Sequence, residues 1–293
     1  MSVSQQPQSV SWCVHGLQMA GLSWGEPGSE PVLALHGWLD NAASFSLLAP
    51  LLGGCQVVAL DLTGHGRSAW RSDDAGYQIW DDLPEIVAIA DALGWTSFNL
   101  LGHSRGAVIG TLLASAVPQR VRRLVLLDAV LPEPLAEGEF SRQLGRFLSD
   151  KRRFLQRRHR VFATVDAAVA TRAQRGLGAP AAQLLVQRNL RECAGGFTWT
   201  TDPRLQGASA VKLTAGQAQT VLECVAAPTL LLHAREGHVS KHPEITAIAQ
   251  RCIRQLSVEQ VAGGHHFHME DAVSAVARSV TAFLQEPAER GAL

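Results

Sequence analysis

The chain has 293 residues, and its 26 lysines and arginines offset 26 aspartates and glutamates to a formal net charge of zero. That length can bury a sizeable core, as one α/β domain or a core carrying an insertion, while the balanced charge gives no electrostatic reason for nucleic acid or an anionic membrane as partner and favours a small-molecule substrate. Five scattered cysteines (Cys13, Cys55, Cys193, Cys224, Cys252), an N-terminus without a basic-then-apolar leader and the lack of eighteen uninterrupted apolar residues predict a cytoplasmic protein with no metal or cofactor.

Residues 12–24 mix apolar alternation with glycines and predict an antiparallel hairpin. Pro31-Val32-Leu33-Ala34-Leu35 is a short continuous apolar run suited to a strand covered on both faces, and it runs into His36-Gly37-Trp38-Leu39-Asp40-Asn41. Val57-Val58-Ala59-Leu60 predicts another buried strand. The loop after it, Asp61-Leu62-Thr63-Gly64-His65-Gly66-Arg67-Ser68, carries Asp61 and His65, read as scaffold because an aspartate at a strand end satisfies loop amides. Leu83, Ile86, Val87, Ile89, Ala90 and Leu93 follow helical spacing, and Gly94 closes that helix.

Phe98-Asn99-Leu100-Leu101 then reads as a buried strand, and residues from Ala107 onward have helical composition. Gly102-His103-Ser104-Arg105-Gly106 lies between them. A glycine-x-serine-x-glycine stretch at a strand-to-helix turn is a nucleophile elbow: the serine sits on a sharp turn at positive φ, and the flanking glycines let helix and strand approach. The helix start aims backbone N–H groups at a developing oxyanion, and a His-Gly turn after an early strand can add the Trp38 N–H to that of Arg105.

Residues 121–127 predict a strand ending in Asp128. Alternating strands and helices to this point imply parallel pairing with right-handed crossovers. Between residues 132 and 222 no comparable buried strand recurs, but Phe140–Leu155 and 165–175 are amphipathic, which predicts a helical insertion. Its basic run, Lys151-Arg152-Arg153 through Arg157-Arg158-His159-Arg160, reads as a solvated helix face. Strand pattern returns at 228–233 and 256–261, followed by Gly263-Gly264-His265-His266-Phe267-His268-Met269 and a closing helix carrying Val273, Val276, Val280 and Leu284.

Together these motifs resemble the α/β-hydrolase superfamily. More narrowly, 36–41 with Ser44-Phe45, the stretch Gly196-Phe197-Thr198-Trp199-Thr200-Thr201-Asp202-Pro203-Arg204-Leu205, and 264–269 are similar to the branch called serine hydrolase-like proteins. The resemblance implies an α/β fold with a mostly parallel eight-stranded sheet, helices on both faces and a helical cap after the sixth strand. The expected division is core 1–131, cap 132–222 and core 223–293, with the cap lying over Ser104. Trp199 and the Phe140–Leu155 helix are the expected apolar wall of the pocket.

The resemblance also implies a catalytic triad. Ser104 is the nucleophile, and His265, first after the double glycine, is the base in preference to His266 and His268. Where most relatives carry the acid, this chain reads His233-Ala234-Arg235-Glu236-Gly237-His238, with glycine at the expected aspartate position. Two carboxylates can substitute: Asp128, where some branches place the acid, and Glu236. Asp128 is the expected acid and Glu236 the alternative. The activity expected is hydrolysis of a small ester, thioester or lactone through an acyl-enzyme, with carbon–carbon bond hydrolysis, cofactor-free perhydrolysis or a silent binding module as alternatives.

Overall fold

The computed structural model describes residues 6–157 and 159–286. Residues 1–5 of the polar N-terminus and Arg158 of the basic run lie outside the described residues. The hairpin pairs β1 (Gln8–Val14) with β2 (Leu17–Trp24), joined by His15 and Gly16, both at positive φ. Two consecutive left-handed residues make a turn whose twist matches that of the strands. There follow β3 (Glu30–Leu35), β4 (Cys55–Asp61), α1 (Leu83–Ala92), β5 (Phe98–His103), α2 (Arg105–Ala116) and β6 (Val121–Leu127). The inserted region carries α3 (Phe140–Leu155), β7 (Val161–Phe162), α4 (Val165–Ala173), α5 (Ala179–Asn189), β8 (Leu190–Cys193), β9 (Gly196–Trp199) and α6 (Ala215–Glu223). The chain closes with β10 (Thr229–Ala234), α7 (His238–Lys241), α8 (Pro243–Cys252), β11 (Leu256–Val261) and α9 (Val273–Gln285). Among the described residues no helix is long and apolar enough to cross a membrane.

Eight strands form one sheet in the order β1-β2-β4-β3-β5-β6-β10-β11. Only the pairings of β2 with β1 and β4 are antiparallel. The central strands carry apolar runs at 32–35, 57–60, 100–101 and 124–127 because both their faces are covered there, and alternate side chains enter different layers. Leu33, Leu35, Leu100, Leu124 and Leu126 pack with α1 and α2, whereas Val32, Ala34, Leu101, Val125 and Leu127 pack with Phe45, Leu48 and the Val276–Val280–Phe283 stripe of α9. Parallel pairing brings the C-terminal ends of β3, β5, β6 and β10 to one edge. Leu35 is level with Gly102, His103 with Leu127, and Leu127 with Leu232.

The insertion leaves the core after β6, as the superfamily pattern implies, and acts as a cap. It is not wholly helical. Its β7, β9 and β8 form a separate three-stranded antiparallel sheet. Strands of two to four residues exposed on one side carry no long apolar run, so periodicity gives them no signal. Cap and core are joined by polar contacts, those of Arg188 buried. Arg188 of α5 donates through Nε to both oxygens of Asp61 at 2.9 Å and through Nη2 to Gly21 O. Trp38 Nε1 donates to Leu205 O, Trp70 Nε1 to Thr200 O, and Tyr77 OH to Asp202 Oδ2.

Candidate active site

Ser104 stands at the junction of β5 and α2 with φ 51° and ψ −116°. A non-glycine residue holds this left-handed conformation only where its surroundings enforce it. Here Ser104 N–H donates to Leu127 O of the neighbouring strand, and the first turn of α2 folds back onto Ser104 O. The glycines on either side are needed for space. A Cβ at Gly102 would lie 2.5 Å from Ala107 Cα, and one at Gly106 would lie 2.8 Å from His36 O and nearer still to Leu35 O. The half-buried Ser104 hydroxyl has no hydrogen-bond partner among the described residues.

Arg105 follows Ser104 directly, Trp38 lies on the loop whose backbone at Leu35 and His36 approaches Gly106, and neither amide donates a hydrogen bond within the described fold. Arg105 is the first residue of α2, where no helical acceptor exists. Its guanidinium is engaged elsewhere, on Asp82 Oδ2 at 2.9 Å. Trp38 occupies the loop after β3, and the next residue, Leu39, turns at φ 62° with its N–H on His65 Nε2. Asp61 accepts from the amides of Ala42 and Arg67, in keeping with the scaffold role read from sequence.

His265 lies on the loop between β11 and α9. Its Nδ1 is 2.6 Å from Asp128 Oδ2, so the ring donates from Nδ1 and leaves Nε2 free to accept a proton. Asp128 follows β6 at φ 55°, its N–H held by Leu232 O. The carboxylate is fully buried and accepts two further bonds, from His238 N–H at 2.6 Å and Val239 N–H at 3.2 Å. Glu236, the alternative acid, is exposed and makes no bond to His265; its N–H joins Gly263 O. Gly237 has an ordinary extended backbone, φ −80° and ψ −173°, which any residue could adopt. What requires glycine is space: a Cβ there would lie 2.6 Å from Asp128 Cγ and nearer to both oxygens.

The other histidines of the loop have different surroundings. His268 is fully buried, pairs through Nε2 with Ser44 Oγ at 2.8 Å, and burial pushes its pKa down to about 3. His103 is also buried and donates from Nε2 to His265 O at 2.9 Å, fixing the height of that loop. Burial, followed by the neighbouring loop histidines, holds its pKa well below the usual range, so its ring is neutral. The Nδ1 of His103 and the Nε2 of His266 face Asp40 Oδ2 at 3.8 and 3.6 Å. These three atoms lie within 4.8 Å of one another, and a cation bridging them would have two imidazoles and one carboxylate as ligands. Burial opposes the Asp40 charge, but the approach of His266 and the charge of Arg172, which binds Asp40 Oδ1, hold its carboxyl below the ordinary range. Sequence reading passed over Asp40, because an aspartate two residues after an oxyanion turn carries no pattern of its own.

Above the loop 37–40 lies a cleft of about 290 Å³ lined by Leu39, Trp199 and a group of arginines. Trp199 lines this cleft and no side chain of α3 does; Ser104, His265 and Asp128 are not in its lining, and Phe140, Leu148 and Leu155 of α3 are exposed. Arg153, Arg157 and Arg160 of the basic run are all exposed, as expected of a solvated face, and Arg157 and Arg160 also line the cleft.

A model of the alpha/beta hydrolase fold family matches residues 30–272. Among curated proteins, the chain is 29% identical over 279 residues to a serine hydrolase-like protein of Danio rerio, covering 92% of this chain and 85% of that one. It is 29% identical to serine hydrolase-like protein 2 of Homo sapiens, covering 97% and 94% respectively. Among solved structures, a hypothetical protein of Pseudomonas aeruginosa PAO1 superposes with TM-score 0.89 at 39% identity, covering 94% of this chain and 98% of that one. The thioesterase domain of the curacin biosynthetic pathway superposes with TM-score 0.80 at 26% identity, covering 95% and 99%.

Proposed function

The chain belongs to the alpha/beta hydrolase fold family, and from that premise we propose that it is a serine hydrolase cleaving a small ester, thioester or lactone. Ser104 attacks the carbonyl, His265 Nε2 takes the serine proton, and the Trp38 and Arg105 amides hold the oxyanion. Asp128 keeps the imidazole in the tautomer with its proton on Nδ1 and stabilises the imidazolium that forms. His265 then returns the proton to the leaving group and activates the water that releases the acyl chain. Within this reading residues 132–222 are the cap, the core is 1–131 with 223–293, and five free cysteines fit a reducing, cytoplasmic setting.

The observation that carries this reading is the 2.6 Å bond from His265 to a buried carboxylate held by two further amides, on the sheet edge where Ser104 stands strained at the start of α2. A silent binding module has no use for that convergence. The names of the relatives, serine hydrolase-like protein and thioesterase domain, agree with acyl chemistry. A panel of p-nitrophenyl esters and acyl thioesters of graded length tests it. The expected result is turnover of at least one member, lost in Ser104→Ala with the thermal midpoint unchanged; full turnover in that variant would exclude the assignment.

A further inference from the structure

The cleft beside the loop 37–40 is lined by Arg157, Arg160, Arg172 and Arg175, with no aspartate or glutamate in its lining. Among the described residues, only Arg172 of the four has a carboxylate within 4.0 Å, that of Asp40, and its Nε remains buried without a partner. Arg157 donates to the neutral Gln206 amide at 3.0 Å and sits over the Phe154 ring, while Arg160 sits over Phe162. Burial and then the charges of Arg172 and Arg157 lower the pKa of Arg175, as expected where guanidinium groups face one another without a counter-charge. A solvated basic face would spread its charges or lace them with acids. Here cations drawn from the segment before β7 and from α4 with its C-terminal extension converge on one concave surface.

We propose that this cleft binds the anionic end of the substrate, a carboxylate or phosphate received by Arg157, Arg160 and Arg175, while the acyl carbonyl lies at Ser104. The proposal rests on the hydrolase reading above and names its substrate class. Leu39, in the cleft wall, is the residue next to Trp38, whose amide is assigned to the oxyanion, so the cleft adjoins the loop on which the oxyanion is placed. Guanidinium groups present planar forks that match carboxylate and phosphate oxygens, which suits them to recognition of the far end of a substrate. The Leu39 and Trp199 side chains supply apolar contact for the arm between the two ends.

The test compares matched substrates that differ chiefly in the charged group. The p-nitrophenyl monoester of glutaric acid is set against p-nitrophenyl valerate, and an acyl-4′-phosphopantetheine against the corresponding acyl-pantetheine, in the native enzyme and in Arg157→Gln/Arg175→Gln. Native enzyme is expected to prefer the anionic member of at least one pair by tenfold or more in kcat/KM, chiefly through KM. The preference falls at high salt and is lost in the double variant, whose turnover of neutral esters is unchanged. Preference in the first pair alone identifies a carboxylate, and in the second alone a phosphate. Equal rates within both pairs, or a preference that survives the double variant, overturn the proposal. Calorimetric titration of glutarate and coenzyme A into Ser104→Ala separates the two readings. Binding that the two arginine substitutions abolish supports the anion site even if no ester is hydrolysed, whereas ester turnover with no anion binding overturns the site and leaves the hydrolase standing.

Discussion

Moving the acid is the sharpest perturbation of the site, because Asp128 and Gly237 contend for one volume. A Cβ at 237 would lie 2.6 Å from Asp128 Cγ, so an aspartate there, with its carboxyl one bond further out, reaches the place the Asp128 carboxylate occupies. The backbone permits both changes: Asp128 sits at φ 55°, which glycine adopts readily, and Gly237 at φ −80°, which aspartate adopts readily. Asp128→Gly alone removes the partner of His265 Nδ1 and should lower kcat on the order of 10⁴-fold, the cost of an unfixed tautomer in such triads. Gly237→Asp alone forces two carboxylates together and should also be inactive. Combined, they restore one carboxylate at the histidine; a residual misplacement of about 1 Å costs roughly 10²-fold, so the double variant should regain about 10² over Asp128→Gly. Initial rates on a short p-nitrophenyl ester, with thermal melts as the folding control, read this directly. Asp128→Gly retaining more than a tenth of native turnover, or a folded double variant no faster than the single, would refute the reasoning, as would a comparable loss in Glu236→Gln.

Three further outcomes follow from the packing. Gly106→Ala drives a methyl into the backbone of residues 35 and 36, which cannot step aside as a flexible side chain could, and should cost at least about 3 kcal/mol in urea unfolding; a loss below 1 kcal/mol would contradict the contact. Asp61→Asn leaves the buried Arg188 guanidinium without its counter-charge, and the expected loss is about 3–5 kcal/mol, with the cap released to proteolysis ahead of the core. His36, His65, His103 and His268 have pKa values lowered by burial, so the unfolded chain, titrating near 6.5, binds protons that the folded chain refuses. Stability therefore falls as pH drops below that point. From pH 7.5 to 5.5 each such group should remove up to about 1.4 kcal/mol, and chemical denaturation showing constant or rising stability over that range would contradict the assignment.

Much of this architecture was legible because its causes are local. The runs 31–35 and 124–127 are apolar without alternation because helices cover both faces, and the glycines about Ser104 mark a backbone crossing that only glycine allows. The acid was harder to read, since Asp128 and Glu236 both stand at strand ends on one sheet edge and only the volume at Gly237 separates them. That glycine was the available signal: it occupies the common acid position because the carboxylate arrives from β6 and fills the space. The small cap sheet left no periodic trace. The Arg188–Asp61 and Arg172–Asp40 contacts join residues 127 and 132 positions apart, a separation at which single-sequence pattern has no reach. The basic run is exposed throughout its described arginines, and Arg157 and Arg160, which follow the helix, also border the cleft.

The central claim is that Ser104 is a nucleophile activated by His265, and covalent capture tests it most directly. The protein is treated with a fluorophosphonate probe and the modified peptide is located by mass spectrometry, in parallel with Ser104→Ala and His265→Ala. The account predicts one phosphonylated site at Ser104, no label in Ser104→Ala and labelling slowed by orders of magnitude in His265→Ala. A native protein that stays unlabelled, or label that persists in Ser104→Ala at the native rate, would contradict it.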